Sequence, residues 1–392
     1  MSLLNLVQLG TCISRASTWN PLRASGDDVF LYIDLSSVDQ DTKVISDARE
    51  MPCGEAPSRA RQLVTAGDVL VSTVRPNLNG VARVPPELDG ATASTGFCVL
   101  RPESKKIDES YLFQWVKSPT FISDMVSKAT GASYPAVSDR IIFESAIPLP
   151  PLGDQRRIAA ILDQAETLRT QRRAALAQLD SLTQSIFLNM FGDPVTNPKG
   201  WPRLPFSEAC ETRLGKMLDA KQQTGQNKRR YLRNANVQWF CIDLSDLLEM
   251  DFDAHARETF RLDAGDLLIC EGGEPGRAAV WHGELDDVYY QKALHRGRPK
   301  RGVAHPDFLA WLLWFLAQRG GLGDHVTTAT IAHLTGEKLK AMPIPVPPLP
   351  LQQTFATRIQ VIESLKTTHR TALAQLDALF ASLQQRAFAG EL

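Results

Sequence analysis

The chain has few of the features that mark a secreted, membrane-bound or metal-binding protein. Its six cysteines are scattered without a Cys-x-x-Cys pair, which argues against a zinc site and a disulfide framework and fits a reducing compartment. No run approaches the roughly 18 apolar residues of a membrane span. The first residues show neither a basic leader nor a long apolar core. We therefore expect a cytoplasmic protein with no membrane segment, signal peptide or bound metal.

Sequence motifs of common enzymes are also missing. The string closest to a Gly-x-x-x-x-Gly-Lys-Ser/Thr phosphate loop, at residues 271–277, lacks the lysine and the hydroxyl. There is no Gly-x-Ser-x-Gly elbow and no His-Glu-x-x-His zinc helix. An Asn/Asp-Pro-Pro-Tyr/Phe string, which amino-methyltransferases use on a flipped base, is absent as well. These absences disfavour a catalytic function.

The chain also lacks an excess of positive charge. It carries 43 Lys and Arg against 44 Asp and Glu, for a net charge of −1. A protein that coats DNA by charge alone is expected to be basic. Any DNA-binding surface on this chain must therefore be local, with acidic residues placed elsewhere.

What the chain does have is an internal duplication. The string Ile-Pro-Leu-Pro-Pro-Leu from Ile147 reappears from Ile344 as Ile-Pro-Val-Pro-Pro-Leu, and Ala-Leu-Ala-Gln-Leu-Asp occurs at 175–180 and at 372–377. The offset is 197 in both cases (344 − 147 and 372 − 175). A chain with two similar halves suits a partner with two sites at a fixed separation, and duplex DNA is the obvious candidate.

Each copy of the duplicated segment is predicted to form a long helix. The prolines at 148–151 exclude a helix before it, Asp154 is the predicted N-cap, and Gly192 with Pro194 ends it. The first helix then has about 35 residues and a length of about 50 Å. Apolar residues recur in steps of four and three, the heptad spacing of a coiled coil, so we expect the two helices to pack together. The seam residues are Ile161, Ala165, Leu168, Ala175, Leu179, Leu182 and Ile186 in one copy and Ile362, Leu365, Ala372, Leu376, Leu379 and Leu383 in the other.

The two remaining parts of the chain look like diverged copies of one α+β domain. The string Gly-Asp-Val-Leu at 67–70 matches Gly-Asp-Leu-Leu at 265–268, and residues 132–138 align with 329–335. Strand patterns occur at 30–35, 69–74, 97–100, 239–244, 267–270 and 278–281, and helix patterns at 111–117, 121–128 and 308–319. The predicted segments are a first domain at 1–146, a proline-rich lead-in with helix at 147–194, a second domain at 195–343, and a second lead-in with helix at 344–392.

A basic run at 227–236 is the first candidate DNA contact. It places four cations beside one aromatic residue and three asparagines. Arg and Lys contact phosphates or guanine edges, and Asn contacts adenine. The alternative is a solvated surface run. We exclude Tyr231 and Leu232 as core residues of a strand. The predicted contacts are Lys228, Arg229, Arg230, Arg233, Asn234 and Asn236.

Loops at matching places in the two halves supply the other candidates. A glycine-rich loop at 272–277 and its counterpart at 72–80 follow predicted strands, and hydroxyl-rich loops occur at 130–134 and 327–330. Ordinary tight turns or helix caps are the alternative for each loop. The predicted contacts are Arg75, Asn77, Asn79, Ser133, Tyr134, Arg277, Thr328 and Thr330. A set of aspartates matches no calcium loop and is expected to face solvent: Asp243, Asp246, Asp251 and Asp253.

Taken together, these strings resemble the specificity subunits of type I restriction–modification systems. The resemblance rests on residues 147–155 with the helix that follows, on their repeat from Ile344, on residues 231–237, and on both Gly-Asp-x-Leu segments. It spans essentially the whole chain. Its departures are mild: Phe-Leu-Tyr-Ile-Asp-Leu at 30–35 matches less well than residues 231–237, and the second lead-in has Pro-Leu-Gln at 350–352 where the first has Gly-Asp-Gln at 153–155.

The resemblance implies an α+β fold with two pseudo-symmetric target-recognition domains separated by two long helices that pack as an antiparallel coiled coil. Each domain would read one half of a bipartite target in double-stranded DNA, and the helices would set the spacer. The subunit would have no catalytic activity and no cofactor. It would dock two methyltransferase subunits, which use S-adenosylmethionine to methylate adenine, and restriction subunits that use ATP and Mg²⁺.

Two competing hypotheses come from other classes of protein. The first is a self-contained DNA methyltransferase or nuclease with cryptic motifs, which would bind S-adenosylmethionine without a partner. The second is a coiled-coil scaffold with no DNA role, which would show no salt-dependent DNA binding.

Overall fold

A computed structural model describes residues 5–219, 224–325 and 333–392. Contacts divide the chain into two compact units. Unit 1 comprises Met1–Ala174 and Arg370–Leu392, and unit 2 comprises Ala175–His369. Each unit therefore holds one globular part and a segment of both long helices. The boundaries between the units thus fall within the helices and differ from the boundaries of the four predicted segments.

In unit 1 the chain forms ten strands and three short helices before the first long helix. The main sheet has the order β2-β9-β6-β7 and is antiparallel throughout. A second sheet has the order β4-β3-β8-β5, with β3 and β8 parallel, and β1 pairs with β10. The elements are β1 Leu6–Gln8, β2 Ile13–Arg15, β3 Val29–Ile33, β4 Arg49–Pro52, β5 Ala60–Leu63, β6 Val69–Ser72, β7 Val81–Arg83, β8 Thr92–Ser94, β9 Phe97–Pro102, α1 Glu109–Val116, α2 Pro119–Lys128, α3 Asp139–Glu144, β10 Ala146–Pro148 and α4 Leu152–Phe191.

Unit 2 repeats this plan with different edge elements. Its main sheet has the order β12-β20-β17-β18, a second sheet has the order β16-β13-β19, and β11 pairs with β21 as β1 does with β10. The small pair β14-β15 is a separate hairpin. The elements are β11 Arg203–Pro205, α5 Phe206–Ala209, β12 Cys210–Leu214, β13 Lys228–Leu232, β14 Val237–Gln238, β15 Cys241–Ile242, β16 Leu248–Asp251, α6 Ala254–Phe260, β17 Leu267–Cys270, β18 Ala278–Val280, β19 Tyr289–Tyr290, β20 Leu294–Pro299, α7 Pro306–Gln318, α8 Gly336–Ala341, β21 Pro343–Pro345 and α9 Leu349–Phe388.

The repeated Gly-Asp string opens the buried central strand of each main sheet. The two glycines have φ of +88° and +92°, a conformation that costs a residue without Cβ little. Asp68 is buried and accepts from the Nε (2.9 Å) and Nη2 (2.7 Å) of Arg101. Asp266 is equally buried and accepts from the same two atoms of Arg298, each at 2.7 Å. A buried carboxylate is stable only when it is paired in this way, so the string is structural in both units.

A buried glutamine fixes the start of each long helix. The side chain of Gln155 accepts from the backbone N–H of Asp108 (2.9 Å) and donates to the carbonyls of Lys106 (3.1 Å) and Pro150 (2.8 Å). Gln352 makes the same three bonds, at 2.8, 3.0 and 2.7 Å, to residues 197 positions further along. The lead-in and the helix are thus attached to the globular part in the same way in both units.

Within unit 1 the first half of α4 runs antiparallel to the second half of α9. Arg157, near the start of α4, donates from Nη2 to the carbonyl of Leu392 (3.0 Å). Three turns later Arg169 pairs with Asp377 (2.6 Å). Residues later in α4 thus contact residues earlier in the C-terminal segment, which shows that the two helices are antiparallel.

Unit 2 contains the other halves of the two helices in the same arrangement. Lys366 pairs with Asp180 (2.7 Å), and both residues lie 197 positions from their counterparts in the unit 1 pair. Further along, Nη1 of Arg358 lies 3.8 Å from Sδ of Met190. Packing of the helices as an antiparallel pair therefore agrees with prediction inside each unit.

The predicted seam is wrong at four leucines. The helices also pack against their own globular part, where Nε2 of Gln114 donates to Oδ1 of Asp163 (2.7 Å). The buried stripe therefore follows this contact rather than a narrow heptad seam. The buried apolar residues include Ile158, Leu162 and Ala165 of α4 and Phe355, Ile359 and Ile362 of α9. The exposed leucines are Leu168 (43%) and Leu379 (50%) in unit 1 and Leu182 (46%) and Leu365 (47%) in unit 2.

The α+β prediction is confirmed, and most predicted elements lie within two or three residues of the observed ones. One predicted strand, at 239–244, is only partly right: β15 covers Cys241–Ile242, whereas Trp239 and Phe240 form the tip of the β14–β15 hairpin, with Phe240 at φ +61°. Helix α4 is longer than predicted, with 40 residues, because it begins directly after the prolines at Leu152. None of the helices in the described ranges combines the length and apolarity that a membrane crossing requires.

Candidate nucleic-acid interface

In unit 1 two predicted loops form one surface. The loop after β6 contains Arg75 (φ +50°) and Asn79 (φ +48°), which flank a 3-10 turn at Pro76–Leu78. The backbone N–H of Arg75 donates to the carbonyl of Pro135 (2.7 Å), which joins this loop to the loop at 130–136. Left-handed backbone at residues other than glycine costs roughly 1–3 kcal/mol each and persists only where neighbouring structure holds it.

Arg75 and Tyr134 form an exposed cation–aromatic pair on that surface. The Arg75 guanidinium carbon lies 4.7 Å from the centroid of the Tyr134 ring, and the tyrosine is 69% exposed. Arg75 is exposed, and among the described residues it enters no ion pair. Asn77 and Ser133 are exposed beside it, whereas Asn79 is half-buried. An exposed arginine that lies over an aromatic ring is suited to contact the edge of a base.

The glycine-rich loop of unit 2 is attached to the turn after β13. Nδ2 of Asn234 donates to the carbonyl of Gly272 (2.6 Å), and Nη2 of Arg277 donates to the carbonyl of Asn234 (3.1 Å). Arg277 also pairs with Glu274 (3.2 Å) and its side chain is 17% exposed. Arg277 and Asn234 therefore hold the loop in place, and the prediction that they contact DNA has no support from their environment.

The basic run lies mostly on β13, where strand alternation separates its members. Lys228 and Arg230 are exposed and enter no ion pair among the described residues. Arg229 pairs with Asp287 (2.7 Å), and Arg233 pairs with Asp246. Tyr231 and Leu232 are buried, as predicted for strand core. Two cations of this run, rather than four, remain available to a partner.

Asn236 is a structural residue, contrary to its predicted role at DNA. It is buried, its Oδ1 accepts from the backbone N–H of Arg233 (3.0 Å), and its Nδ2 donates to the carbonyls of Asp243 (2.9 Å) and Asp246 (3.0 Å). Its amide therefore has no room for a base edge. Thr328 and Thr330 lie outside the described residues.

The aspartates of unit 2 bind protein groups. Asp243 accepts from the backbone N–H of Ser245 (2.9 Å), and Asp253 caps α6. Asp251 is buried, which contradicts the expectation that it faces solvent, and it accepts from the backbone N–H groups of Thr224, Gly225 and Asn227. Within the described part of the chain no three His, Cys, Asp or Glu side chains are grouped as metal ligands.

Two residues that the sequence did not single out contact the candidate loops. Nζ of Lys43 donates to the carbonyl of Asn79 (2.6 Å) in unit 1, and Nε1 of Trp239 donates to Oε1 of Glu274 (2.6 Å) in unit 2. For Lys43, the sequence signal was the turn-forming composition of residues 39–43. A contact across 36 residues, as between Lys43 and Asn79, has no local signature.

The long helices carry a second exposed surface. We call Leu168 with Leu379 the unit 1 leucine pair and Leu182 with Leu365 the unit 2 leucine pair. The adjacent Arg169 lies over the ring of Phe380 (4.4 Å), which places the unit 1 leucines at one level of the helix pair. The two pairs are related by the offset of 197. Each pair thus exposes nearly half of two leucine side chains at equivalent positions of the two units.

Comparison with known proteins gives a consistent result. The family described as "Type I restriction modification DNA specificity domain" matches residues 63–178. The EcoDI specificity subunit of Escherichia coli is 31% identical over 135 residues, which cover 33% of this chain and 29% of that subunit. The EcoKI specificity subunit of Escherichia coli strain K12 is 23% identical over 318 residues, covering 76% of this chain and 68% of that subunit.

Solved structures support the same fold. A chain from "Structural basis underlying complex assembly and conformational transition of the type I R-M system" aligns over 99% of this chain and 98% of its own length, with a TM-score of 0.63 and 25% identity. A type I restriction-modification S subunit from M. genitalium aligns over 99% and 97%, with a TM-score of 0.60 and 11% identity, which supports the fold alone.

The two units share one scaffold and carry different exposed loops. The chain is similar to the DNA specificity subunits of type I restriction–modification systems, most clearly over residues 63–178, and it spans 29% of the length of the EcoDI subunit that it matches at 31% identity. The competing hypothesis of a self-contained methyltransferase or nuclease has no support from these relatives.

Proposed function

We propose that this chain is the noncatalytic subunit that gives a type I restriction–modification complex its DNA sequence specificity. Unit 1 reads one half of a bipartite target and unit 2 reads the other. The two long helices set the length of the unspecified spacer. Arg75, Asn77, Ser133 and Tyr134 serve unit 1, and the exposed cations of β13 together with the backbone of the glycine-rich loop at 272–277 serve unit 2.

One observation carries this proposal: the scaffold is duplicated contact by contact, whereas the loops are not. The buried Gln and Asp contacts and the helix ion pair recur at an offset of 197 or 198 residues. The loop after the central strand carries Arg75, which lies over the exposed Tyr134 of a neighbouring loop, in unit 1 and glycines in unit 2. A conserved frame with different surfaces is what the reading of two different half-sites requires.

The leucine pairs are the docking sites that we propose for two methyltransferase subunits, one on each unit. Restriction subunits join that assembly. S-adenosylmethionine, ATP and Mg²⁺ bind these partners rather than this chain, and the complex works in the cytoplasm. The equivalence of the two pairs supports one partner per unit, because a duplicated surface suits two copies of the same partner.

Selection from a library of randomised DNA duplexes tests the proposal. The chain and its methyltransferase partner are expected to retain duplexes with two short specified blocks and a fixed gap. Retention of S-adenosylmethionine by the isolated chain would instead favour the enzyme hypothesis. A lack of salt-dependent DNA binding by the assembled complex would favour a scaffold.

Replacement of Arg75 by Ala is expected to relax one base position in the half-site of unit 1. A bidentate arginine contact with guanine contributes about 1–3 kcal/mol of discrimination, so the preference at that position should fall by about 10- to 100-fold. Library selection with the variant complex measures this change directly.

Arg140→Ala is the matched control, since Arg140 is an exposed arginine of unit 1 that pairs only with Glu144 on its own helix. It should leave both half-sites unchanged. Equal loss at both half-sites in the Arg75 variant would contradict the assignment of Arg75 to one of them.

A further inference from the structure

Each unit places the tip of a hairpin against its candidate reading loop. In unit 1 the hairpin is closed by the bridge between Val38 and Ile45. Its tip is ordered by Oδ1 of Asp39, which accepts from the backbone N–H groups at 41 and 42, and by Lys43, whose N–H donates to the Asp39 carbonyl (2.9 Å). Lys43 has φ +61° and extends its ammonium to the carbonyl of Asn79 (2.6 Å).

In unit 2 the β14–β15 hairpin occupies the corresponding place. Phe240 at its tip also has φ +61°, its N–H donates to the carbonyl of Ala278 (3.1 Å), and its ring stacks on Trp311 with centroids 4.1 Å apart. The hairpin is therefore firmly attached. From this base the indole N–H of Trp239 reaches Oε1 of Glu274 (2.6 Å).

The two loops need external support for different reasons. The unit 1 loop contains the left-handed Asn79, and its carbonyl is the group that Lys43 contacts. The unit 2 loop avoids strain with glycines at 273 and 276, but glycine leaves the backbone many alternative conformations. The Lys43 ammonium donates to a backbone carbonyl and the Trp239 indole donates to a carboxylate. The two side chains thus support their loops through different chemical groups. Burial lowers the pKa of Lys43, in keeping with an ammonium withdrawn from water beside its acceptor.

We propose that Lys43 and Trp239 are positioning residues for DNA recognition. Each fixes the shape of one reading loop from the hairpin tip, and so controls the fidelity of one half-site without itself contacting a base. The inference rests on the proposed function, because it requires these loops to read DNA. It adds two residues, and a supporting element in each unit, to the loops that face the target.

Lys43→Met and Trp239→Phe, each in the complete complex with the methyltransferase partner, test this role. Methionine retains the aliphatic stem and the Cβ of lysine, and phenylalanine retains a ring without the N–H. The Lys43 variant should relax base preference about tenfold in the half-site of unit 1 only, the lower end of the range for a lost base contact. The Trp239 variant should do the same in the half-site of unit 2 only. The slope of affinity against salt should not change in either.

One further variant serves as a control, and another provides a second measurement. Lys105→Met removes an exposed lysine that follows the C-terminal end of β9, whereas the unit 1 loop lies at the N-terminal end of that strand. This variant should change neither half-site. Glu274→Ala should reproduce the effect of Trp239→Phe, which provides a second measurement should the tryptophan variant fold poorly.

The outcomes separate this inference from the proposed function. If the unchanged complex selects no bipartite target, the proposed function fails. If it selects one and the Lys43 and Trp239 variants select it with equal fidelity, only the inference is overturned. A uniform loss of affinity in the Lys43 variant with a salt slope reduced by about 1 would identify Lys43 as a phosphate contact, which also overturns the inference.

Discussion

Deletion of seven residues from the middle of each long helix, 172–178 and 369–375, is expected to shorten the DNA spacer by about three base pairs. Seven residues contribute about 10 Å of helix at 1.5 Å per residue, and B-DNA rises about 3.4 Å per base pair. Seven residues are also close to two full turns, so the faces of the helices on either side of the deletion keep their orientation. The two specified blocks should stay the same, because the deletion leaves both sets of loops intact. Library selection with the assembled complex reads the spacer and the blocks together.

The control for the deletion keeps the helix length and changes its composition. Replacing both seven-residue segments with an unrelated helical heptad should leave the spacer at its original length. Deleting only one segment should impair the complex, since the helix pairs of both units then lose their register. An unchanged spacer in the double deletion would contradict the role of the helices as the spacing element.

Aspartate at all four exposed leucines is expected to abolish binding of the methyltransferase partner. An interface that covers these positions would bury unpaired carboxylates, and each such burial costs several kcal/mol. Affinity at each site should therefore fall by more than about 100-fold. Substitution of the unit 1 leucine pair alone, or of the unit 2 pair alone, should leave a complex with one methyltransferase subunit instead of two. Mass measurement of the assembled complex distinguishes two, one and none.

Leu22→Asp is the matched control for the leucine variants. Leu22 is a similarly exposed leucine of unit 1 (51%) that lies on a 3-10 turn away from the long helices. This variant should assemble with two partners. Normal assembly of the fourfold variant would place the docking surface elsewhere on the chain.

The scaffold could be predicted from the sequence because its segments occur twice in the chain. The offset of 197 located both long helices, and the same offset relates the contacts of Gln155 to those of Gln352. The repeated Gly-Asp string pointed to equivalent strands, and the structure supplies the reason in the buried ion pairs of Asp68 and Asp266. Periodicity was less reliable for the helix faces. A helix that packs on a second helix and on its own globular part buries a wider stripe than a heptad seam, which is why Leu168 and its equivalents are exposed.

The candidate site could be predicted only in part, since the same residue types serve structure and recognition. Arg75 and Arg277 follow equivalent strands, yet one guanidinium lies over an exposed ring and the other is held by Glu274 and a backbone carbonyl. Asn236 belongs to a polar run and is nevertheless buried. Which role a polar side chain takes depends on neighbours that are distant in sequence. For that reason Lys43, which contacts a residue 36 positions away, had no signal in the pattern.

The central claim, that one chain with two different reading units specifies a bipartite target, is tested most directly by mapping methylation. The chain is co-expressed with its methyltransferase partner in a host without that activity, and methylated adenines are located across the genome. We predict a single motif of two short blocks separated by a gap of constant length. One uninterrupted motif, or no new methylation by a complex that demonstrably assembles, would contradict the account.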